Sequence, residues 1–215
     1  MYAILNDDKT SIQKIISGNT PITDSNGVQH PSSIFANWSK EELANINVVP
    51  VVNAASADNK YYNSGQEIFT IADDKSLVNG SRSKTEKSLE DVTEKDEKGN
   101  VLKEVDGSDL ITAGLKSIEI RRINKVANDL ISQFSWQIER SLTTDPVVAI
   151  DDVVKKYIND VRTAHTTIKG KINACDTMDK FKALFVTPVD GDGKVTGNAP
   201  IDDFPSQKDV EQYKR

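Results

Sequence analysis

Two histidines, one cysteine and a run of alternating aspartates are the residues of this chain whose chemistry could go beyond packing. Asp190-Gly191-Asp192-Gly193-Lys194 places acids at alternate positions, as a calcium loop does at its start. The pattern then fails, with Lys194 fifth, Val195 sixth where glycine belongs, and Ile201 twelfth where a bidentate Glu belongs. The segment reads as a turn, and no metal is expected. His30 and His165 are too few for a dedicated metal site without carboxylate help. His165 can serve as a base or a pH switch, but its place on an apolar helical stripe also reads as a hydrogen-bonded packing histidine. Cys175 has no histidine or helix N-terminus to lower its pKa, so it reads as an inert buried thiol, and alone it makes no intrachain disulfide. No glycine-rich phosphate loop, nucleophile elbow or paired-carboxylate motif stands out, so neither a cofactor nor a catalytic activity is expected. Arg121, Arg122 and Lys125 make a basic spot that serves as a solvated face or as internal salt-bridge partners.

The elements that must position these residues lie mostly between residues 110 and 185. Val154, Ile158, Val161, His165, Ile168, Ile172 and Cys175 follow one another at steps of three and four, a heptad-like seam with one polar member. Before it, Ile123, Val126, Leu130, Phe134 and Ile138 repeat the spacing. Two long helices with one apolar stripe each follow, the stripes facing each other or a neighbouring copy. Asp145-Pro146 is expected to open the second helix, Asp145 as N-cap and Pro146 at the first helical position. Asp176 or Thr177 is expected to cap a short third helix carrying Met178, Phe181, Leu184 and Phe185.

The rest reads as strands and turns. Residues 2–5 and 11–17 suggest an opening hairpin, and Ser25-Asn26-Gly27 a further turn. Ser39 and Glu42 have capping-box spacing for a helix from Lys40 to about Ile46. Residues 48–52 form a strand whose Pro50 predicts an edge position or a crossing between layers. Residues 67–71 and 81–88 are expected to pair around Asn79-Gly80. Between Lys84 and Asp109 nine acids and five lysines leave a balance of −4, an exposed β-ribbon or linker. Asp106-Gly107-Ser108-Asp109 closes it and offers oxygens to cap the next helix. After Pro188 the chain reads as a tail that a partner surface would order. The fold class is α+β, with segments 1–52 (β-rich), 53–109 (polar ribbon), 110–186 (helical hairpin) and 187–215 (extended tail).

Composition narrows the functional classes. The chain has 215 residues, a net charge of −6 and 37% hydrophobic content with 6% aromatic, lean for one tight globule. The charge balance disfavours nucleic acid and anionic membranes as partners. No apolar run approaches the ~20 residues that span a bilayer. The first five residues lack the form of a signal peptide, so synthesis in a cytoplasm is expected.

Several blocks in order carry a family resemblance: His30-Pro31-Ser32-Ser33-Ile34-Phe35 through Trp38-Ser39-Lys40-Glu41-Glu42-Leu43, Val48-Val49-Pro50-Val51, and Gly114-Leu115-Lys116. Trp136 and Arg140, Tyr157, Val161-Arg162, Ile172 to Thr177, Phe181 to Phe185, Pro188 to Gly193 and Ala199-Pro200-Ile201 follow. These resemble small tail-associated proteins of marine bacteriophages, over about two thirds of the chain, and more distantly tail-fibre assembly proteins. Ser135 departs from the family's aspartate before the tryptophan, and residues 131–134 can be read as continuous helix. The resemblance implies a non-enzymatic structural part of a virion tail, in the fibre, baseplate or nozzle region, that docks on fibre, hub or nozzle subunits and forms a homo-oligomer. The alternatives are a tail-fibre assembly chaperone absent from the virion and an enzyme acting on cell-surface glycan. Trp38, Trp136, Arg140, Val154, Tyr157, Ile158, Val161, Arg162, His165, Ile168 and Ile172 are the candidate interface or packing residues.

Overall fold

The computed structural model describes residues 1–18 and 20–214, an α+β chain in two units, Met1–Glu86 and Lys87–Arg215. In the first unit, β1 (Tyr2–Leu5) and β2 (Ile12–Ile16) form the expected antiparallel hairpin. Its turn is closed by the Asn6 carboxamide, which accepts from the Thr10 and Ser11 amides, and by Lys9 at φ 55°. Then come β3 (Ile22–Thr23) and β4 (Gln29–His30), paired around Gly27 at φ 82°. Two short helices follow, α1 (Ile34–Asn37) and α2 (Lys40–Asn45). The Ser39 and Glu42 capping box is formed in both directions.

β5 (Val48–Val52), β6 (Tyr62–Ile71) and β7 (Val78–Glu86) complete a five-stranded sheet of order β2-β1-β5-β7-β6. β5 is central, antiparallel to β1 and parallel to β7. Pro50 is therefore not on an edge strand. The Val51 amide donates to Met1, so the alternation of the strand turns the Pro50 nitrogen to the other side, where the β7 ladder begins only at Val51. The missing N–H costs no ladder bond. The β6–β7 turn also differs from expectation. Asn79 and Gly80 lie inside β7, opposite Thr70 and Phe69. The turn sits at Asp73-Asp74-Lys75, because Asp74 accepts from the Ser76 amide and hydroxyl and Lys75 adopts φ 57°. Gly80 is there for space: a Cβ would meet the Ala54 nitrogen at 2.8 Å.

Strand alternation gives the sheet two apolar faces. Ile4, Ile16 and Val48 pack with Ile22, Ile34 and Leu43. Ala3, Leu5, Val49 and Val78 form the other cluster. A boundary at residue 52 would cut this sheet between β5 and β7, and the expected ribbon of residues 53–109 divides between the two units.

In the second unit, β8 (Val92–Thr93) and β9 (Ile111–Thr112) close a short ribbon. α3 (Leu115–Ser132) does not take its cap from residues 106–109. Its Leu115 and Lys116 amides donate to the Ser88 and Leu89 carbonyls, and Gly114 donates to Asp91. A Cβ on Gly114 would stand 2.3 Å from the Glu90 carbonyl carbon, so only glycine allows this approach. α3 stops before Phe134 because the Ser132 hydroxyl and Gln133 carboxamide both donate to the Asp129 carbonyl. Phe134, fully buried, turns the chain into α4 (Ser135–Thr143).

α5 (Asp152–Asn173) starts six residues after Pro146. Asp151 is its cap, accepting from the Val153 amide, while its own amide donates to the buried Gln137. Asp145 and Pro146 stay outside the helix, with a cis peptide between them. α6 (Met178–Ala183) is capped by Thr177.

The C-terminal segment is not left for a partner to order. Ile201 and Val210 are buried to 0% and 1% exposure. The Ile201 amide donates to Leu184, and Phe204, Val210 and Tyr213 pack with Phe134, Tyr157 and Val161. A 3-10 helix, Lys208–Tyr213, is the last element of the described chain. The segment is irregular yet anchored, because its few apolar residues meet the stripes of α3 and α5.

Candidate functional site

The expected interface residues separate into buried and accessible groups. Val154, Tyr157, Ile158, Val161, Ile168 and Ile172 are all buried, and most of this face of α5 is taken up by α3, Phe134 and the C-terminal segment. The seam is therefore a core seam. Burying each aliphatic side chain contributes about 1.5–3 kcal/mol, which helps hold the helix pair together. Tyr157 meets Phe134 edge to face at 5.6 Å. Its hydroxyl is buried without a well-formed hydrogen bond, and desolvation pushes the phenol above its usual range.

Trp136 and Arg140 stand one turn apart on α4. The guanidinium carbon lies 5.0 Å from the indole centroid, and the indole N–H donates to the Tyr213 carbonyl at 3.2 Å. This pair clamps the C-terminal segment. Trp38, in the other unit, packs against the Ile4 and Leu43 cluster and presents its ring to His30 at 5.5 Å. His30 Nε2 in turn lies 3.0 Å from Asp24, whose carboxyl that contact and the Val28 amide hold below its usual range. His30 thus helps fix a turn.

Arg122 and Lys125 of the basic spot are spent on salt bridges. Arg122 reaches Glu119 at 2.6 Å and Asp202 at 2.9 Å, tying the C-terminal segment to α3. Lys125 pairs with Asp129 at 2.8 Å. Arg121 helps hold the Asp91 carboxyl low, after the larger effects of Ser117 and the Gly114 amide. In the 190–194 turn, Asp190 Oδ1 accepts from the Asp192 and Lys194 amides and so closes the turn. Cys175 is buried, its thiol is pushed up by desolvation, and it donates to the Lys171 carbonyl. Among the described residues no group of three or more His, Cys, Asp or Glu is placed to hold a metal. No helix among them is long and apolar enough to cross a membrane.

Of the expected set Arg162 is exposed and His165 half-buried, as are Trp38, Trp136 and Arg140. Together with Asn124, Ala127, Asn128 and Ile131 of α3, Arg162 and His165 line a groove of about 530 Å³ between α3 and α5, with Thr166 at its side. His165 Nε2 contacts Asn124 Oδ1 at 2.6 Å, which fixes the ring across the two helices. Reading from apolar periodicity alone passes over Asn124 and Asn128, although their four-residue spacing puts both on one face of α3. Compared with models of protein families, with curated proteins and with solved structures, the chain matches none.

Proposed function

We propose that this chain is a structural component of a bacteriophage tail that docks on other tail subunits in the fibre, baseplate or nozzle region. The family resemblance of the sequence blocks suggests this placement. The observation that carries it is the stretch from the end of α4 to the start of α5, which exposes Leu142 of α4 (79%), Val147 (73%) and Val148 of the connection, and Val153 of α5. The helical stripes, which sequence reading assigns to assembly, are consumed inside the unit. Docking therefore falls to this stretch, where covering these apolar side chains would supply the central part of an interface.

Mass spectrometry of purified virions tests the reading. The chain is expected at a stoichiometry fixed relative to the other tail proteins. Absence from mature particles, with presence in infected cells, would replace it with a fibre-assembly chaperone that leaves before maturation. Hydrolysis of host envelope glycan by the purified chain would replace it with an enzyme. Within the same system, Leu142→Ser with Val147→Ser is expected to lower incorporation at least tenfold while the purified chain keeps its melting temperature.

A further inference from the structure

We infer that the groove between α3 and α5 binds a carboxylate carried on a small hydroxylated ligand, of the chemistry of a uronic acid unit. The inference is independent of the virion reading, since it rests on the groove alone. Its volume of about 530 Å³ falls in the range of small-ligand sites. Among the described residues Arg162 is the only charged side chain in the lining, and no carboxylate lies within salt-bridge distance of it. On each helix the acid beside the groove lining pairs with a lysine of its own helix: Asp160 with Lys156 at 2.5 Å and Asp129 with Lys125 at 2.8 Å. The groove thus carries an uncompensated positive charge in a chain of net charge −6. A guanidinium offers a planar fork of donors that matches a carboxylate in two parallel hydrogen bonds.

The remaining lining selects what accompanies the carboxylate. Asn124 gives its carbonyl oxygen to His165, which leaves its amide hydrogens to donate. Asn128, one turn along, keeps both donor and acceptor, the combination that reads hydroxyls. The buried Ala127 and half-buried Ile131 make an apolar floor, suited to the C–H face of a sugar ring. A bare anion would leave this floor and the carboxamides unused. A neutral sugar would leave Arg162 unused.

Titration of the full chain with glucuronate, followed by amide and side-chain NMR signals, tests this, with glucose and an uncharged-side-chain tripeptide with a free C-terminus as the other probes. Saturable shifts at Asn124, Asn128 and Arg162 are expected at millimolar glucuronate, with glucose at least tenfold weaker. Arg162→Gln changes an exposed side chain, so the spectrum should stay folded while glucuronate affinity falls about tenfold. Arg121→Gln, outside the groove, should leave affinity unchanged. Equal binding of glucose, an unaffected Arg162→Gln protein, shifts confined to other surfaces, or no shifts would each overturn the proposal. Binding of the tripeptide in place of glucuronate would overturn it in favour of a peptide terminus.

Discussion

The ribbon at residues 87–112 and the segment at 187–214 are folded by one turn design and meet different fates. In both, an aspartate carboxylate accepts the amides two and four residues on: Lys98 and Asn100 at Asp96, Asp192 and Lys194 at Asp190. In both, a glycine at the fourth position, Gly99 at φ 84° and Gly193 at φ 80°, donates to the aspartate carbonyl. The ribbon then leaves Val101, Leu102, Val105 and Ile111 in solvent, whereas the later segment buries Ile201 and Val210. Turn chemistry decides the local path of each segment. Whether the segment belongs to the core depends on where the next apolar side chains land.

The largest expected effect follows from that difference. Ile201→Ala should lower unfolding free energy by about 2–5 kcal/mol, the range for emptying a closed apolar site. Val105→Ser, in the ribbon, should stay within about 0.5 kcal/mol of the parent. Denaturant midpoints of the two variants measure the contrast, and comparable losses would break it. A smaller effect tests the shared design. Gly99→Ala and Gly193→Ala each force a side chain into the left-handed region at about 1–2 kcal/mol, with no neighbour within 4 Å at either site. Similar losses are expected, and a loss at one site only would show that the turns are not equivalent.

The smallest effect is local and depends on pH. Asp96 and Asp106 are held below the usual aspartate value of 3.8, first by the side chains of Asn100 and Ser108 and then by the amides of the same residues. A depressed carboxylate adds stability above the unfolded pKa and loses it as pH falls through the folded value. Cross-strand NOEs between Lys95 and Val101 should therefore fade below about pH 3.8, before the helical core unfolds. Persistence of those NOEs at pH 2 would count against the carboxylate as the ribbon's fastener.

What the sequence displayed was set by the range of each interaction. The Ser39 and Glu42 capping box and the seam from Val154 to Ile172 are local patterns; both form on helices as read, the seam facing the unit's own core. Gly114 gave no such signal, since its need comes from a backbone more than twenty residues earlier. The central place of β5 was hidden by Pro50, because only the register shows that no partner strand needs its N–H. The groove was half legible. His165 stood out as a polar residue on an apolar stripe, while Asn124 and Asn128 acquire meaning only when α3 lies beside α5.

The place of β5 also bears on how the first unit comes together in time. β1–β2 and β6–β7 are hairpins whose partners lie close in sequence, and such pairings form in microseconds. β5 must then reach β1 across nearly the whole preceding segment and β7 across the β6 hairpin, so it carries most of the loop-closure cost. Val48 and Val49 are thus the positions where a substitution would slow refolding most, whereas changes in the outer half of the β6–β7 ribbon would mainly hasten unfolding.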